Sequence, residues 1–108
     1  MDESTYRRLV DDTLHHIDDA FAEIDPDLAE SSISQGALTI LFPGGLRAIV
    51  SPQPPVQQMW LAFRDRAYHF DWDPEGKRWM DDRGEGLELY AVVTSLTKDT
   101  SGLTVEIA

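Results

Sequence analysis

Ten carboxylates crowd the first thirty residues: Asp2, Glu3, Asp11, Asp12, Asp18, Asp19, Glu23, Asp25, Asp27 and Glu30. Only Arg7 and Arg8 oppose them there, so this segment carries eight of the chain's eleven net negative charges. Carboxylate oxygens are hard ligands and suit hard cations such as Ca²⁺, Mg²⁺, Mn²⁺ and ferrous or ferric iron. Asp11, Asp12, Asp18, Asp19 and Glu23, continued by Asp25 and Asp27, form the candidate cation-binding set. His15 lies four residues from both Asp11 and Asp19, shares their helix face, and joins the set as a weak contact. Asp25-x-Asp27 lacks the downstream glycine and glutamate of a calcium loop, and an open helix face cannot wrap an ion. The expected binding is shallow, multi-site, sensitive to salt and weakly selective.

Other chemistry is scarce. The chain has no cysteine, which excludes disulfides, thiolate nucleophiles, zinc fingers and cysteine-held clusters. It has no phosphate-cradling glycine loop, no Gly-x-Ser-x-Gly turn and no His-Glu-x-x-His helix. Gly84-x-Gly86 reads as a loop, and His16 and His69 read as surface histidines. The negative field repels nucleic acid and anionic lipid and attracts cations or basic protein surfaces. No run approaches a membrane span and no leader opens the chain, so a cytoplasmic, non-enzymatic protein is expected.

The acidic residues need a helix to align them. Tyr6, Leu9, Val10, Leu14, Ile17, Phe21 and Ile24 recur at three- and four-residue steps, which predicts an amphipathic helix from about Glu3 to Ile24. Asp2 or Ser4 caps its start, and Pro26 stops it. Helix C-termini favour cations by about 0.3–1 kcal/mol per charge. This one ends in Asp18, Asp19 and Glu23, against local stability, which favours a functional cluster over the alternative of a merely solvated face.

Strands follow. A short one centres on Ile33, and Ala37 to Phe42 places Leu38, Ile40 and Phe42 on one face. Pro43-Gly44-Gly45 turns the chain, Leu46 to Ser51 returns, and Pro52, Pro54 and Pro55 close that unit. Val56 to Trp72 alternates as a hairpin around Arg64-Asp65-Arg66, with Met59, Leu61, Phe63, Tyr68, Phe70 and Trp72 facing the core. Gln58 and Trp60 then face outward on the side of His69. A large aromatic on the wetter face gains area by meeting a partner, unless its own sheet neighbours cover it. A strand around Trp79 and a polar loop over Asp81–Gly86 come next. A second helix is expected over Leu87–Lys98, with Leu87, Tyr90, Ala91 and Thr94 as its stripe. Leu103, Val105 and Ile107 suit either a last strand or an extended tail over apolar surface. The predicted fold class is α+β: one domain over residues 1–108, a two-layer α/β sandwich of helix, five to six antiparallel strands, and helix, with both helices on one face.

In this arrangement the chain resembles the bacterial frataxins of the CyaY type over nearly its whole length. The likeness rests on Ile17-Asp18-Asp19 in the acidic helix and on Gly36-Ala37-Leu38-Thr39-Ile40. It continues through Gln57-Gln58-Met59-Trp60-Leu61-Ala62, Tyr68-His69-Phe70-Asp71, the Trp79 strand and Asp82-Arg83-Gly84-Glu85. The resemblance implies the same sandwich and weak, surface-bound iron (Fe²⁺ or Fe³⁺) on an acidic ridge. It also implies a role in iron–sulfur cluster assembly by docking the cysteine desulfurase and scaffold, as a monomer when metal is absent. Carried over by position, Asp11, Asp12, Asp18, Asp19, Glu23, Asp25 and Asp27 are the ridge, and Asp18, Asp19, Glu23, Gln58 and Trp60 meet the partner. Ala22 replaces an acid common in the ridge, and Ser31 and Ser32 replace a usually acidic strand edge, leaving the helix as the main ligand source. Ser51-Pro52 stands where an asparagine often precedes the loop. Two alternatives stay open: an acidic interaction adaptor with incidental cation binding, and a weak ferroxidase.

Overall fold

Asp2 starts the first helix, α1 (Glu3–Phe21): its Oδ1 accepts from the Thr5 N–H at 2.7 Å. The computed structural model describes residues 1–107. Tyr6, Val10, Leu14, Ile17 and Phe21 form the buried stripe of α1. The helix ends three residues earlier than the apolar period suggests. Ala22 already bonds back to the Asp19 carbonyl and Ile24 to that of Phe21, so the chain tightens into turns before Pro26. Proline alone restrains only Asp25. Carboxylates at the negative end of the helix dipole favour the earlier stop.

Six antiparallel strands follow in chain order: β1 (Glu30–Ser34), β2 (Ala37–Leu41), β3 (Arg47–Gln53), β4 (Gln58–Phe63), β5 (Arg66–Asp73) and β6 (Arg78–Asp81). The second helix, α2 (Leu89–Ser101), returns over the same face as α1. This is the expected two-layer α+β sandwich, with six strands. Its core lies between the layers, where Leu38, Ile40, Val50, Met59, Leu61 and Phe70 meet the helices. Burying such side chains gains about 1.5–3 kcal/mol each, the main source of stability. No helix among the described residues is long and apolar enough to cross a membrane.

β3 runs through Pro52 to Gln53, beyond the expected end at Ser51, and Pro54–Val56 forms one short helical turn. β2 ends opposite Val50, so Pro52 has a strand neighbour only in β4, where it pairs with Met59. An edge of that kind tolerates a residue without an N–H. The β4–β5 turn is Arg64-Asp65, with Arg64 in the left-handed region (φ 56°) and Arg66 already in the strand.

α2 differs most from expectation. It spans Leu89–Ser101 rather than Leu87–Lys98 and buries Leu89, Val92, Val93, Leu96 and Thr97. Ala91 is exposed, and Leu87, Tyr90 and Thr94 are only partly covered. Weak helix propensity in valine costs a few tenths of a kcal/mol, whereas burial gains more, so the β-branched residues take the core. The Glu88 carboxylate caps the start, accepting from Tyr90 and Ala91, and Gly102 (φ 74°) ends the helix in the left-handed conformation. No strand forms after it among the described residues. Val105 is buried, and Leu103 and Ile107 pack partly on the core, so the tail lies extended over apolar surface.

Two of the side-chain clasps that fix α1 to the sheet lie on its core side. The Tyr6 hydroxyl donates to the Gln58 carbonyl (2.7 Å) and accepts from the Gln53 N–H (3.0 Å), tying the mouth of β3–β4. The Trp79 Nε1–H donates to Thr13 Oγ1 at 2.9 Å, fully inside.

Candidate cation and partner surface

A helix turns 100° per residue, so Asp11, Asp12, His15, Asp18 and Asp19 share one face. That face points away from the core: Asp11, Asp12, His15, Asp19 and Glu23 are exposed and Asp18 is half-buried. Asp18 Oδ1 accepts from Ser31 Oγ at 2.5 Å, which fixes the ridge to β1. His15 Nδ1 meets the Asp11 carbonyl at 2.7 Å, so it donates there and leaves only Nε2 for a ligand. Asp25 Oδ1 accepts from the Asp27 N–H at 2.9 Å in the turn after α1, and Asp27 itself is exposed.

Among the described residues no three His, Asp or Glu side chains converge on one point in a way that would hold an ion. The ridge brings charge together without enclosing it. That charge is not neutralised from within. The ion pairs among the described residues are Arg7–Glu3 and Arg78–Asp73, with His69–Asp82 a third only when the imidazole is protonated, and none involves a ridge carboxylate. Glu30 extends the acidic set: it is exposed and opens β1 next to Ser31. Sequence reasoning counted this acid but gave it no role, although its place one residue before the strand's serines was visible.

The sheet patch lies on the opposite layer. Gln58 and Trp60 project from the outer face of β4, where Trp60 pairs in register with His69 of β5. The two rings stack at 4.2 Å between centroids with planes 19° apart. Trp60 Nε1–H donates to Gln58 Oε1 (2.8 Å), and Gln58 Nε2 donates to Asp71 Oδ1 (3.1 Å) and Asp82 Oδ2 (3.0 Å). His69 Nδ1 stands 3.8 Å from Asp82 Oδ2. Trp60 is therefore half-buried and held in one orientation by its own sheet neighbours. His69, Asp71 and Asp82 complete this patch, although the sequence reading gave none of the three a role in it. Strand alternation placed His69 beside Trp60, but nothing local pointed to Asp82.

Asp82 is positioned by its neighbour. The Asp81 carboxylate accepts from the N–H groups of Arg83 (3.1 Å), Glu85 (3.0 Å) and Leu87 (2.7 Å), folding the glycine-containing loop. These bonds, led by that from Glu85, hold Asp81 below the ordinary value of 3.8. Asp2 and Asp73 are lowered too, chiefly by the backbone N–H groups of Thr5 and Gly76. A carboxylate lowered on folding adds stability above its unfolded value, and that stability is lost as pH falls through the folded one. Stability should hold at neutral pH and decline below 3.8. Asp81→Asn should weaken the fold at neutral pH and flatten the acid decline in circular dichroism; an unchanged acid profile would contradict this role. The sign reverses for Tyr6, whose phenol burial pushes above 10.0, so its contribution falls away only in strong alkali.

Comparison with known proteins places this geometry in context. A family model described as a frataxin-like domain matches residues 1–102. The iron–sulfur cluster assembly protein CyaY of Pseudomonas fluorescens is 43% identical over 83 residues, covering 77% of this chain and 74% of that protein. The CyaY of Ectopseudomonas mendocina is 35% identical over 108 residues, covering 98% and 94%. Among solved structures, frataxin from Psychromonas ingrahamii aligns with a TM-score of 0.90 at 26% identity, over 100% of this chain and 99% of that one. A trimeric yeast frataxin complexed with ferrous iron aligns at 0.74 with 26% identity, over 88% and 87%. The helix, six-strand meander and helix, the family match across both layers and the relatives at this identity agree: the chain belongs to the frataxin family, with the bacterial CyaY proteins.

Proposed function

We propose that this protein is an iron-binding regulator of iron–sulfur cluster assembly that docks a cysteine desulfurase and its scaffold. Iron is its cargo, held weakly by Asp11, Asp12, Asp18, Asp19 and Glu23, with His15, Asp25 and Asp27 at the margins. Gln58 and Trp60 are the sheet contacts for the partner, together with Asp18, Asp19 and Glu23. The observation that carries this reading is an un-neutralised carboxylate face on α1 where helix stability alone disfavours it. The relatives named as cluster assembly proteins support it. The ridge and the patch lie on opposite layers, so a partner touching both must reach around the β1 edge.

Titration of the ¹⁵N-labelled protein with Fe²⁺ under anaerobic conditions tests the cargo site. Amide signals of residues 11–27 and of Glu30 should broaden first, while those flanking Trp60 stay sharp. Raising ionic strength from 0.01 to 0.15 M, which shortens the Debye length from about 30 to about 8 Å, should weaken the effect. Broadening centred elsewhere, or none, would reject the ridge as the site.

A further inference from the structure

Between α1, the β5–β6 hairpin and the start of α2 lies a cavity of about 460 Å³ whose lining, Asp12 apart, the iron reading does not use. Its size falls in the range of small-molecule sites, roughly 300–1,000 Å³. Its walls are unusually aromatic. From the sheet come Trp72 and Trp79, edge to face at 5.2 Å and 66°. From the helices come His16 and Tyr90, edge to face at 6.5 Å and 72°, with His16 Nδ1 3.3 Å from the Tyr90 hydroxyl. Two carboxylates border the same space: Asp12 from α1, and Glu88, whose oxygens also cap α2.

Aromatic faces carry negative charge density, and a desolvated cation over such faces is strongly attracted. Rings on two sides with carboxylates at the border form a setting for a diffuse organic cation rather than a hard metal ion, which would prefer oxygen ligands alone. The two basic side chains at the rim do not fill it. Arg78 is directed to Asp73, its Nε 3.4 Å from Oδ2. Lys77, in the left-handed region at the hairpin turn, makes no ion pair among the described residues and is exposed. From these walls we infer that the cavity between α1, β5–β6 and α2 binds a small quaternary ammonium compound. Lys77 acts as a like charge at its mouth and holds affinity down. The inference shares Asp12 with the proposed iron ridge but needs neither metal nor desulfurase.

Choline chloride is the probe, followed by proton NMR at constant ionic strength. Ring currents should move its N-methyl signal upfield along a saturable curve. Its uncharged isostere, 3,3-dimethylbutan-1-ol, should bind about tenfold or more weakly, because it lacks the charge that the rings and carboxylates select. Tyr90→Leu and Trp72→Leu, which keep apolar bulk but remove the aromatic face, should each weaken choline by about fivefold or more. Lys77→Asn, at an exposed turn where asparagine accepts the backbone, should tighten it. Equal affinity for choline and the alcohol would overturn the inference by showing a merely apolar cavity. A shift that never saturates, or that ignores Tyr90→Leu, would overturn it by showing diffuse attraction to an acidic surface. If Trp72→Leu fails to fold, Tyr90→Leu and Lys77→Asn still decide the matter.

Discussion

Replacing Trp79 with alanine is expected to remove about 3–5 kcal/mol of stability, the range for deleting a large buried ring. Trp79 is 2% exposed. It packs edge-on against Tyr6 at 6.3 Å and Trp72 at 5.2 Å, so three elements lose a contact surface together. The indole N–H is also the clasp to Thr13. Thr13 keeps its own bond to the Leu9 carbonyl (2.7 Å), so the residual polar cost is that of one unmet acceptor. Against a margin of about 5–15 kcal/mol for a small domain, the expected loss is from about a fifth to all of the stability. Urea denaturation followed by circular dichroism measures this directly. Trp79→Phe, which keeps most of the ring and loses only the clasp, should fall between. A loss below about 1 kcal/mol for the alanine variant, the level of an ordinary surface change, would mean that the core closes without this side chain.

Reversing two ridge charges, Asp19→Lys with Glu23→Lys, should have opposite effects on folding and on association. Both side chains are exposed, and neither forms an ion pair among the described residues. A cation in the last turn complements the helix dipole, so Asp19→Lys should raise stability slightly, by about 0.3–1 kcal/mol. Long-range attraction to a basic partner surface speeds association by about 10–10³-fold, so its reversal should slow desulfurase binding by a factor in that range. The measurement is an association rate by stopped flow or surface plasmon resonance, at low and moderate salt. A more stable protein that docks more slowly separates a functional ridge from a solubilising one; unchanged association would discard the docking role. Asp18 is a poorer choice for this test, because its bond to Ser31 also holds α1 against β1.

Much of this architecture was legible because one side of each element is buried. Strand alternation alone set Trp60 outward and Met59 inward, and the 3.6-residue period aligned the ridge. The failures have specific causes. α2 was placed out of phase because its stripe was read as Leu87, Tyr90, Ala91 and Thr94, while burial, which depends on the sheet beneath, turns Val92 and Val93 inward. The early end of α1 arose from charge acting on the last turn, which proline-based stop rules ignore. The bracing of Trp60 joins Gln58 to Asp82 across 24 positions, and a loop folded by Asp81 sets that meeting. No local pattern encodes it.

The clasp between Thr13 and Trp79 spans 66 positions of the chain. During synthesis at about 5–20 residues per second, α1 leaves the ribosome several seconds before its partner residue is made. Over that interval the strands beneath α1 emerge one after another, and the polar tie that locks its middle arrives only with β6.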